Sequence, residues 1–230
     1  MIKIENVEVV GWEYAIRGMR NPLNSWDKSD SEYHVDCNIC NNPHYDCDNC
    51  PMVAFDDKTL IGPHDLELMK KLCKAGTDHR KFMRMIVVYV DVTAPLYWWA
   101  EYDTYKVGTV RNSCSKMHTI HKKEFCFADF SHDHLDEDEC CEILSEIISK
   151  LNFDRKRYLE TKDKKYWWQI IQLLPSSYNQ RATLMLNYEV LANIYHSRKA
   201  HKLDEWHDFC RWIEILPYSE LITGGNADEM

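Results

Sequence analysis

Apolar and polar residues follow two periodicities along the chain, and together these predict a mixed fold. Near-continuous apolar character over residues 85–92 predicts a central β-strand covered on both faces. Looser alternation over residues 2–10 predicts an opening strand. Helical periodicity predicts helices at 12–19, 63–75, 96–106, 138–161, 166–174 and 203–215. We therefore expect an α/β (α+β) fold in which long helices cover a small central β-sheet.

The stretch 172–206 carries a further long helical pattern that organises the second half of the chain. Pro175, followed by two serines, predicts the start of this helix. Its apolar stripe recurs at helical spacing, at Leu184, Tyr188, Leu191 and Tyr195. Asn187 and Arg198 would then share one face, about 16 Å apart along the axis. This spacing suits a long polar ligand lying along the helix, and it also fits an ordinary solvated face.

Composition narrows the class of protein. The chain has 230 residues, of which 45% are hydrophobic and 12% aromatic, so we expect one globular domain over 1–220 and a disordered tail at 221–230. The net charge of −9, without a basic block, argues against binding a nucleic-acid polymer. The N-terminus has no signal-peptide pattern, and no run of 18 apolar residues predicts a membrane helix. We expect a cytoplasmic protein with no membrane partner.

A cysteine-rich segment at 31–53 differs from the rest of the chain. It holds two Cys-x-x-Cys pairs that could bind one metal ion through four thiolates, at Cys37, Cys40, Cys47 and Cys50. Structural zinc is the leading interpretation, because a closed four-cysteine site has no open position for catalysis. An iron–sulfur cluster and unliganded thiols remain alternatives, and His44 could replace one sulfur. We interpret the segment as an inserted loop that a metal stabilises.

The segment 107–116 is rich in small hydrogen-bonding residues and contains a glycine and two cations. It follows a buried strand and an aromatic-rich helix, which is a position where loops often contact phosphates and bases. An ordinary polar connector has the same composition. Sequence alone leaves both interpretations open.

Two stretches of the chain resemble the flavin-dependent thymidylate synthases. Residues 104–117, which follow a strand ending in Ala94 and Pro95, align without gaps to the family signature R-H-R-x-x-S-x-N-E-x-S-x-R-Y. A second block carries the family's Leu-Pro, its Asn, an Arg eleven residues later and a Trp, at Leu174, Pro175, Asn187, Arg198 and Trp206. The resemblance covers about 64–118 and 138–213 and leaves the cysteine-rich segment outside.

The second block matches the family well, whereas the signature is matched mostly by residue type. Four signature positions carry related residues, namely Lys106 and Lys116 for Arg, and Thr109 and Cys114 for Ser. The opening Arg-His, which the family uses around the flavin, becomes Thr104-Tyr105, and the Asn-Glu pair becomes Arg111-Asn112. Two nucleotide-contacting positions also change, from Gln to Glu101 and from Arg to Ile171.

The resemblance implies an enzyme with the fold of the thymidylate synthase complementing proteins, working as a homotetramer with active sites at subunit interfaces. Such an enzyme binds FAD and converts dUMP to dTMP by reductive methylation. It takes the one-carbon unit from methylenetetrahydrofolate and the reducing equivalents from NADPH. The partners implied are a pyrimidine deoxynucleotide and further copies of the same chain.

The resemblance also assigns site residues. It implies catalytic roles for Lys106, Lys116 and Arg198. It implies flavin contacts from Thr104, Tyr105, Lys106, Asn187 and Asn193. It implies nucleotide contacts from Glu101, Thr109, Asn112, Cys114, Ser115, Lys116 and Arg198. Cations and hydroxyls among them suit a 5′-phosphate.

Departures from the signature keep two alternatives open. One is a nucleotide-binding protein on the same scaffold that has lost flavin chemistry. The other is an enzyme acting on dCMP or a modified pyrimidine, because ionised Glu101 can only accept hydrogen bonds and would favour cytosine's amino group. The cation lost at Ile171 could be replaced by Lys123, Arg181 or Lys165.

Overall fold

The computed structural model describes residues 2–33 and 59–224. Within them, four strands form one sheet in the order β1-β2-β4-β3. The strands are β1 (Lys3–Val10), β2 (Val87–Pro95), β3 (Val110–Ser113) and β4 (Asn179–Asn187). Strands β2 and β4 pair in antiparallel direction, which two backbone hydrogen bonds at the ends of the pair establish. The Tyr188 N–H donates to Ile86 O, and the Leu96 N–H donates to Tyr178 O.

Residues 2–33 and 59–224 also form nine α-helices, and most of the predicted ones begin and end close to the predicted bounds. They are α1 (Trp12–Arg20), α2 (Pro63–Lys74), α3 (Leu96–Tyr102), α4 (Lys116–Thr119), α5 (Glu139–Thr161), α6 (Lys164–Leu173), α7 (Tyr188–Arg198), α8 (Asp204–Glu214) and α9 (Glu220–Thr223). The predicted fold class, a small sheet with long helices, is thus confirmed. Helix α3 is shorter than expected, so Tyr105 and Lys106 follow the helix.

Contacts within the described chain define two compact units. The first comprises residues 2–4, 92–104 and 112–183. Its helical core is a cluster of buried apolar side chains contributed by α5, α6 and the segment before α5: Ile120, Phe125, Phe130, Leu144, Ile148, Leu151 and Ile170. Ile171 packs against this cluster, which gives the aliphatic side chain a structural role at the position where the family has arginine.

The second unit comprises residues 5–33, 59–91, 105–111 and 184–224. Trp12 at the start of α1 lies at its centre, fully buried, with its ring edge-to-face with Tyr188 at 5.3 Å and with Tyr218 at 5.2 Å. The Tyr188 hydroxyl donates to the carbonyl oxygen of Pro217. Aromatic packing therefore anchors the first turn of α7 in this unit.

The helix predicted after Pro175 was wrong over its first half, because residues 179–187 form β4 and α7 begins only at Tyr188. Alternate side chains of this segment are buried, at Gln180, Ala182, Leu184 and Leu186. This period of two belongs to a strand. Leu184 therefore belongs to the strand and not to the helical stripe.

Two further expectations change. The strand at 87–95 is central in the sheet, as predicted. Tyr89 is 41% exposed, so the face of the strand that carries Tyr89 is not fully covered. The prediction of two covered faces was therefore wrong, because an antiparallel sheet can leave one face to solvent. The segment 107–116 is more than a loop, because Val110–Ser113 form β3 and Lys116 begins α4.

The four cysteines of the predicted metal site and residues 225–230 of the predicted tail lie outside the described residues. The tail was predicted to begin at 221, which is wrong for its first residues, because Leu221 and Ile222 are buried in α9. Between 2 and 33 and between 59 and 224, no group of three or more His, Cys, Asp or Glu side chains is placed to hold a metal ion. No helix in these same ranges is long and apolar enough to cross a membrane.

Candidate functional site

The junction between β4 and α7 is formed by Asn187, which ends the strand and caps the helix. Its Oδ1 accepts a hydrogen bond from the backbone N–H of Val190 at 3.0 Å. Its Nδ2 donates to the carbonyl oxygen of Gly108 at 3.5 Å. Gly108 has φ +75, and a Cβ there would lie 3.2 Å from Asn187 Nδ2. Glycine therefore suits both the backbone conformation and the close approach.

The other end of α7 presents Arg198, whose guanidinium is held by two aromatic residues. Arg198 Nε donates to the hydroxyl oxygen of Tyr105 at 2.8 Å. Its Cζ lies 5.4 Å from the ring centroid of Tyr105 and 4.9 Å from that of Trp206. Trp206 is fully buried, so it gives the cation a rigid apolar surface. The guanidinium is thus oriented by one hydrogen bond and two cation–π contacts.

Residues 105–109, which we call the 105–109 loop, contact both ends of α7. Tyr105 meets Arg198 and Gly108 meets Asn187, while the Thr109 hydroxyl donates to the Tyr105 carbonyl oxygen. We expected Asn187 and Arg198 to flank a ligand lying along the helix. In the structure, both side chains form hydrogen bonds with the 105–109 loop of the same chain. The Asn187 side chain also caps α7, since its Oδ1 accepts from the Val190 N–H.

Lys106 and Asn193, two of the residues predicted to contact flavin, lie in the same second unit. Lys106 follows Tyr105 in the loop and is exposed, and Asn193 is exposed on α7. An ammonium group and an amide that face solvent can donate hydrogen bonds to an incoming ligand. Their chemistry fits the pyrophosphate and ribose groups of a dinucleotide.

Glu101 and Thr104, which the sequence also nominated, lie in the first unit. Glu101 is half-buried in the last turn of α3, and Thr104 is exposed just beyond it. The Thr104 hydroxyl donates to the carbonyl oxygen of Glu101 at 2.9 Å. Thr104 therefore helps to end α3 by satisfying one of its last carbonyl groups.

The turn after β3 is fixed by Gln180, a residue that sequence reasoning missed. Gln180 is buried, and its Nε2 donates to the carbonyl oxygen of Cys114 at 2.6 Å. The Cys114 N–H donates to Arg181 O at 2.9 Å, and Trp99 Nε1 donates to Gln180 O at 2.9 Å. The period-two burial of β4 is the signal that could have identified this inward-facing amide.

This turn presents the remaining predicted nucleotide contacts. Asn112, Cys114 and Ser115 are exposed, and Lys116 is half-buried at the start of α4. The Thr119 hydroxyl donates to Ser115 O at 2.6 Å and fixes the first turn. The residues thus offer a hydroxyl, an amide, a thiol and an ammonium group on an ordered backbone, which suits a phosphate or a polar base edge.

Two of the three cations suggested as replacements at position 171 make surface ion pairs. Lys123 Nζ lies 2.7 Å from Asp129, and Lys165 Nζ lies 3.2 Å from Asp163. Each hydrogen bond to the carboxylate raises the pKa of its lysine. Arg181 is exposed on β4. All three remain charged, and surface ion pairs of this kind are weak enough for a ligand to compete with.

The four-stranded antiparallel sheet together with the helices defines the class of fold. Two crystal structures share it over nearly the whole chain, both of the flavin-dependent thymidylate synthase ThyX from Helicobacter pylori with FAD and dUMP. In one, the identity is 15%, the TM-score is 0.62, and 94% of this chain and 96% of that chain are covered. In the other, the identity is 14%, the TM-score is 0.63, and 96% of each chain is covered.

No protein-family model and no curated protein sequence matches the chain. At 14–15% identity, the structural comparison establishes the ThyX-like fold alone. It agrees with the resemblance read from the two sequence blocks. The activity must be argued from the side chains.

Proposed function

We propose that this chain is a nucleotide-binding flavoprotein and acts as an FAD-dependent, thymidylate synthase-like enzyme. Its reaction is reductive methylation of a pyrimidine deoxynucleotide, dUMP to dTMP, with methylenetetrahydrofolate and NADPH as co-substrates. The observation that carries the proposal is the similarity to ThyX structures holding FAD and dUMP over at least 94% of both chains. We extend the proposal to a cytoplasmic homotetramer, which light scattering tests as a mass of four 27.4 kDa chains.

The chemistry of the nucleotide favours the cations and donors described above. A 5′-phosphate dianion requires positive charge and short hydrogen-bond donors. The resemblance assigns this chemistry to Arg198 in the second unit and, separately, to Lys116 and Ser115 in the first. Lys106 would stabilise negative charge that develops on the pyrimidine carbonyl oxygens when C5 is activated. Thr109, Asn112 and Cys114 would complete the polar contacts.

The flavin contacts assigned by the resemblance are Thr104, Tyr105, Lys106, Asn187 and Asn193. Exposed Lys106 and Asn193 have the donor chemistry that the phosphates and ribose of FAD require. Bound FAD would supply the hydride for the reduction. This chain's own residues would bind the cofactor, orient it against the nucleotide and exclude water.

A second candidate is a nucleotide-binding protein without flavin chemistry. The specific observation that favours it is the use of Thr104 and Tyr105 within the chain. Thr104 bonds to the end of α3, and Tyr105 bonds to Arg198. These are the positions where the family has its flavin-contacting Arg-His pair. In this candidate, Arg198 and Lys116 retain nucleotide binding.

Flavin retention separates the two candidates. The purified protein is mixed with FAD, excess flavin is removed by gel filtration, and the visible absorption spectrum is recorded. We expect a retained flavin spectrum that bleaches on addition of NADPH. Lys106→Ala should lower the retained flavin, whereas Lys74→Ala, an exposed lysine at the end of α2, is the matched control. A folded protein that binds dUMP but retains no flavin would favour the second candidate.

The half-buried carboxylate of Glu101 makes the choice of pyrimidine testable. In the alternative in which the substrate is dCMP or a modified pyrimidine, this acceptor favours dCMP over dUMP, and Glu101→Gln shifts the preference toward dUMP by roughly tenfold. Calorimetric titration of both nucleotides into both proteins measures this. Tighter binding of dUMP by the unaltered protein would reject the dCMP preference and leave the thymidylate synthase-like proposal standing.

A further inference from the structure

We propose that Tyr105 is a positioning residue that holds the Arg198 guanidinium in the orientation needed to bind the nucleotide phosphate. This inference rests on the proposed function, because it assumes that a nucleotide binds at Arg198. It assigns Tyr105 a different task from the one implied by the family signature. There, the residue at this position works around the flavin.

The hydrogen bond selects one part of the guanidinium. Tyr105 accepts from Nε–H of Arg198 and does not engage the terminal nitrogens through that bond. The two terminal nitrogens form the planar fork that matches two oxygens of a phosphate. A partner at Nε therefore constrains the plane of the guanidinium, and the terminal nitrogens lie in that same plane.

The aromatic rings add a second constraint. Tyr105 and Trp206 have centroids 6.1 Å apart at an interplanar angle of 68°, and the Arg198 Cζ lies within 5.4 Å of both centroids. Arginine has a long, flexible side chain, and much of its rotamer freedom is lost when it binds a ligand. Contacts to two rings remove much of this freedom before the ligand arrives, which is preorganisation.

The 105–109 loop in turn holds Tyr105 in place. Its carbonyl oxygen accepts from the Thr109 hydroxyl, and Gly108 lies against Asn187 and Val190 at the start of α7. Tyr105 itself is half-buried. Tyr105 therefore lies on a loop whose other end contacts the start of α7. The Tyr105 hydroxyl contacts Arg198, the last residue of α7.

The test measures dUMP affinity by calorimetry for Tyr105→Phe, Arg198→Lys and the double variant. Loss of the hydroxyl alone should weaken dUMP binding about fivefold, the equivalent of one hydrogen bond. In the Arg198→Lys background, where Nε–H is absent, Tyr105→Phe should change the affinity less than about twofold. Tyr14→Phe is the matched control, since Tyr14 also contacts an arginine, Arg17 at 5.2 Å, elsewhere in the second unit.

A second measurement requires no ligand. The Arg198 side chain should give a resolved ¹⁵Nε–¹Hε NMR signal, assigned by its loss in Arg198→Lys, and Tyr105→Phe should shift or broaden it. Absence of a resolved signal in the unaltered protein would overturn the inference, as would unchanged dUMP affinity in Tyr105→Phe. Equal losses in both backgrounds would overturn it too, because Tyr105 would then contact the nucleotide directly. If the unaltered protein binds no dUMP, the proposed function fails and the inference fails with it.

Discussion

Asp65, on the first turn of α2, is a fully buried carboxylate surrounded by donors. Its Oδ1 accepts from Arg20 Nε at 2.6 Å, and its Oδ2 accepts from the hydroxyls of Ser29 at 2.6 Å and Ser31 at 2.7 Å. Arg20 is only 5% exposed. Removing one member of such a buried pair leaves the other charge without compensation, which costs more than the pair itself contributes.

We expect Asp65→Ala to lower the free energy of unfolding by about 3–5 kcal/mol. The matched control is Glu220→Ala, which breaks the more exposed pair between Glu220 and Lys70 at 3.2 Å and should cost about 1 kcal/mol or less. Urea unfolding followed by tryptophan fluorescence measures both. Similar losses in the two variants would contradict the role given to burial.

Tyr195 on α7 links that helix to α8, since its hydroxyl donates to Glu214 Oε1 at 2.8 Å. Burial and this hydrogen bond raise the pKa of Tyr195 to about 12. A raised pKa in the folded state means that the stabilisation is complete below the unfolded value of about 10 and is lost as the pH rises toward the folded value.

Tyr195→Phe should therefore lower the free energy of unfolding by about 1 kcal/mol at about pH 8. The difference between variant and parent should shrink as the pH rises from about 10 to about 12. Denaturant unfolding at a series of pH values checks this, with exposed Tyr14→Phe as the control. A difference that stays constant up to about pH 12 would show that the hydroxyl proton does not carry the effect.

At the scale of elements, the start of α7 depends on one side chain. Asn187→Ala removes the cap on the Val190 N–H and the contact to Gly108, and it should cost about 1 kcal/mol or more of unfolding free energy. Asn193→Ala, in the exposed middle of the same helix, should be neutral or slightly stabilising because alanine has the higher helix propensity. Thermal unfolding of the two variants makes the comparison. Equal effects would exclude a capping role for Asn187.

Sequence periodicity predicted the long helices well and failed at one strand. Residues 139–161 have a clear 3.6-residue stripe, and the observed helix covers the same span. In β4, Leu184, Met185 and Leu186 are good helix formers, so local propensity disagreed with the observed strand. The strand forms because it pairs with β2, which is a tertiary effect that no window of local sequence contains.

The candidate site was predicted as a set of residues but not as a set of contacts. The two sequence blocks nominated Tyr105, Arg198 and Trp206 separately. Tyr105 and Arg198 are 93 positions apart in the sequence, and the hydrogen bond between them depends on the path of the chain. Asn187 was nominated as a ligand contact and proves to be a helix cap as well, because one amide can accept at Oδ1 and donate at Nδ2.

For the whole molecule, the four cysteines predicted to bind zinc give a direct test. We expect about one zinc ion per chain after purification without added metal, measured by inductively coupled plasma mass spectrometry. The double substitution Cys37→Ser with Cys40→Ser should remove it, because two thiolates cannot complete a tetrahedral site. Cys114→Ser, an exposed thiol outside the segment, is the control. Iron in place of zinc would favour the cluster alternative, and no metal would reject the site.

The antiparallel pairing of β2 with β4 also has a kinetic consequence. The bond between Tyr188 N–H and Ile86 O closes a loop of about a hundred residues, whereas the contacts between α5 and α6 are local. We infer that the α5–α6 hairpin forms early and the central pairing late. Because Asn187 and α7 follow directly from β4, their contacts with the 105–109 loop would be among the last to form. The proposed nucleotide site at Arg198 would then be complete only in the fully folded chain. A partly folded chain would therefore not bind nucleotide.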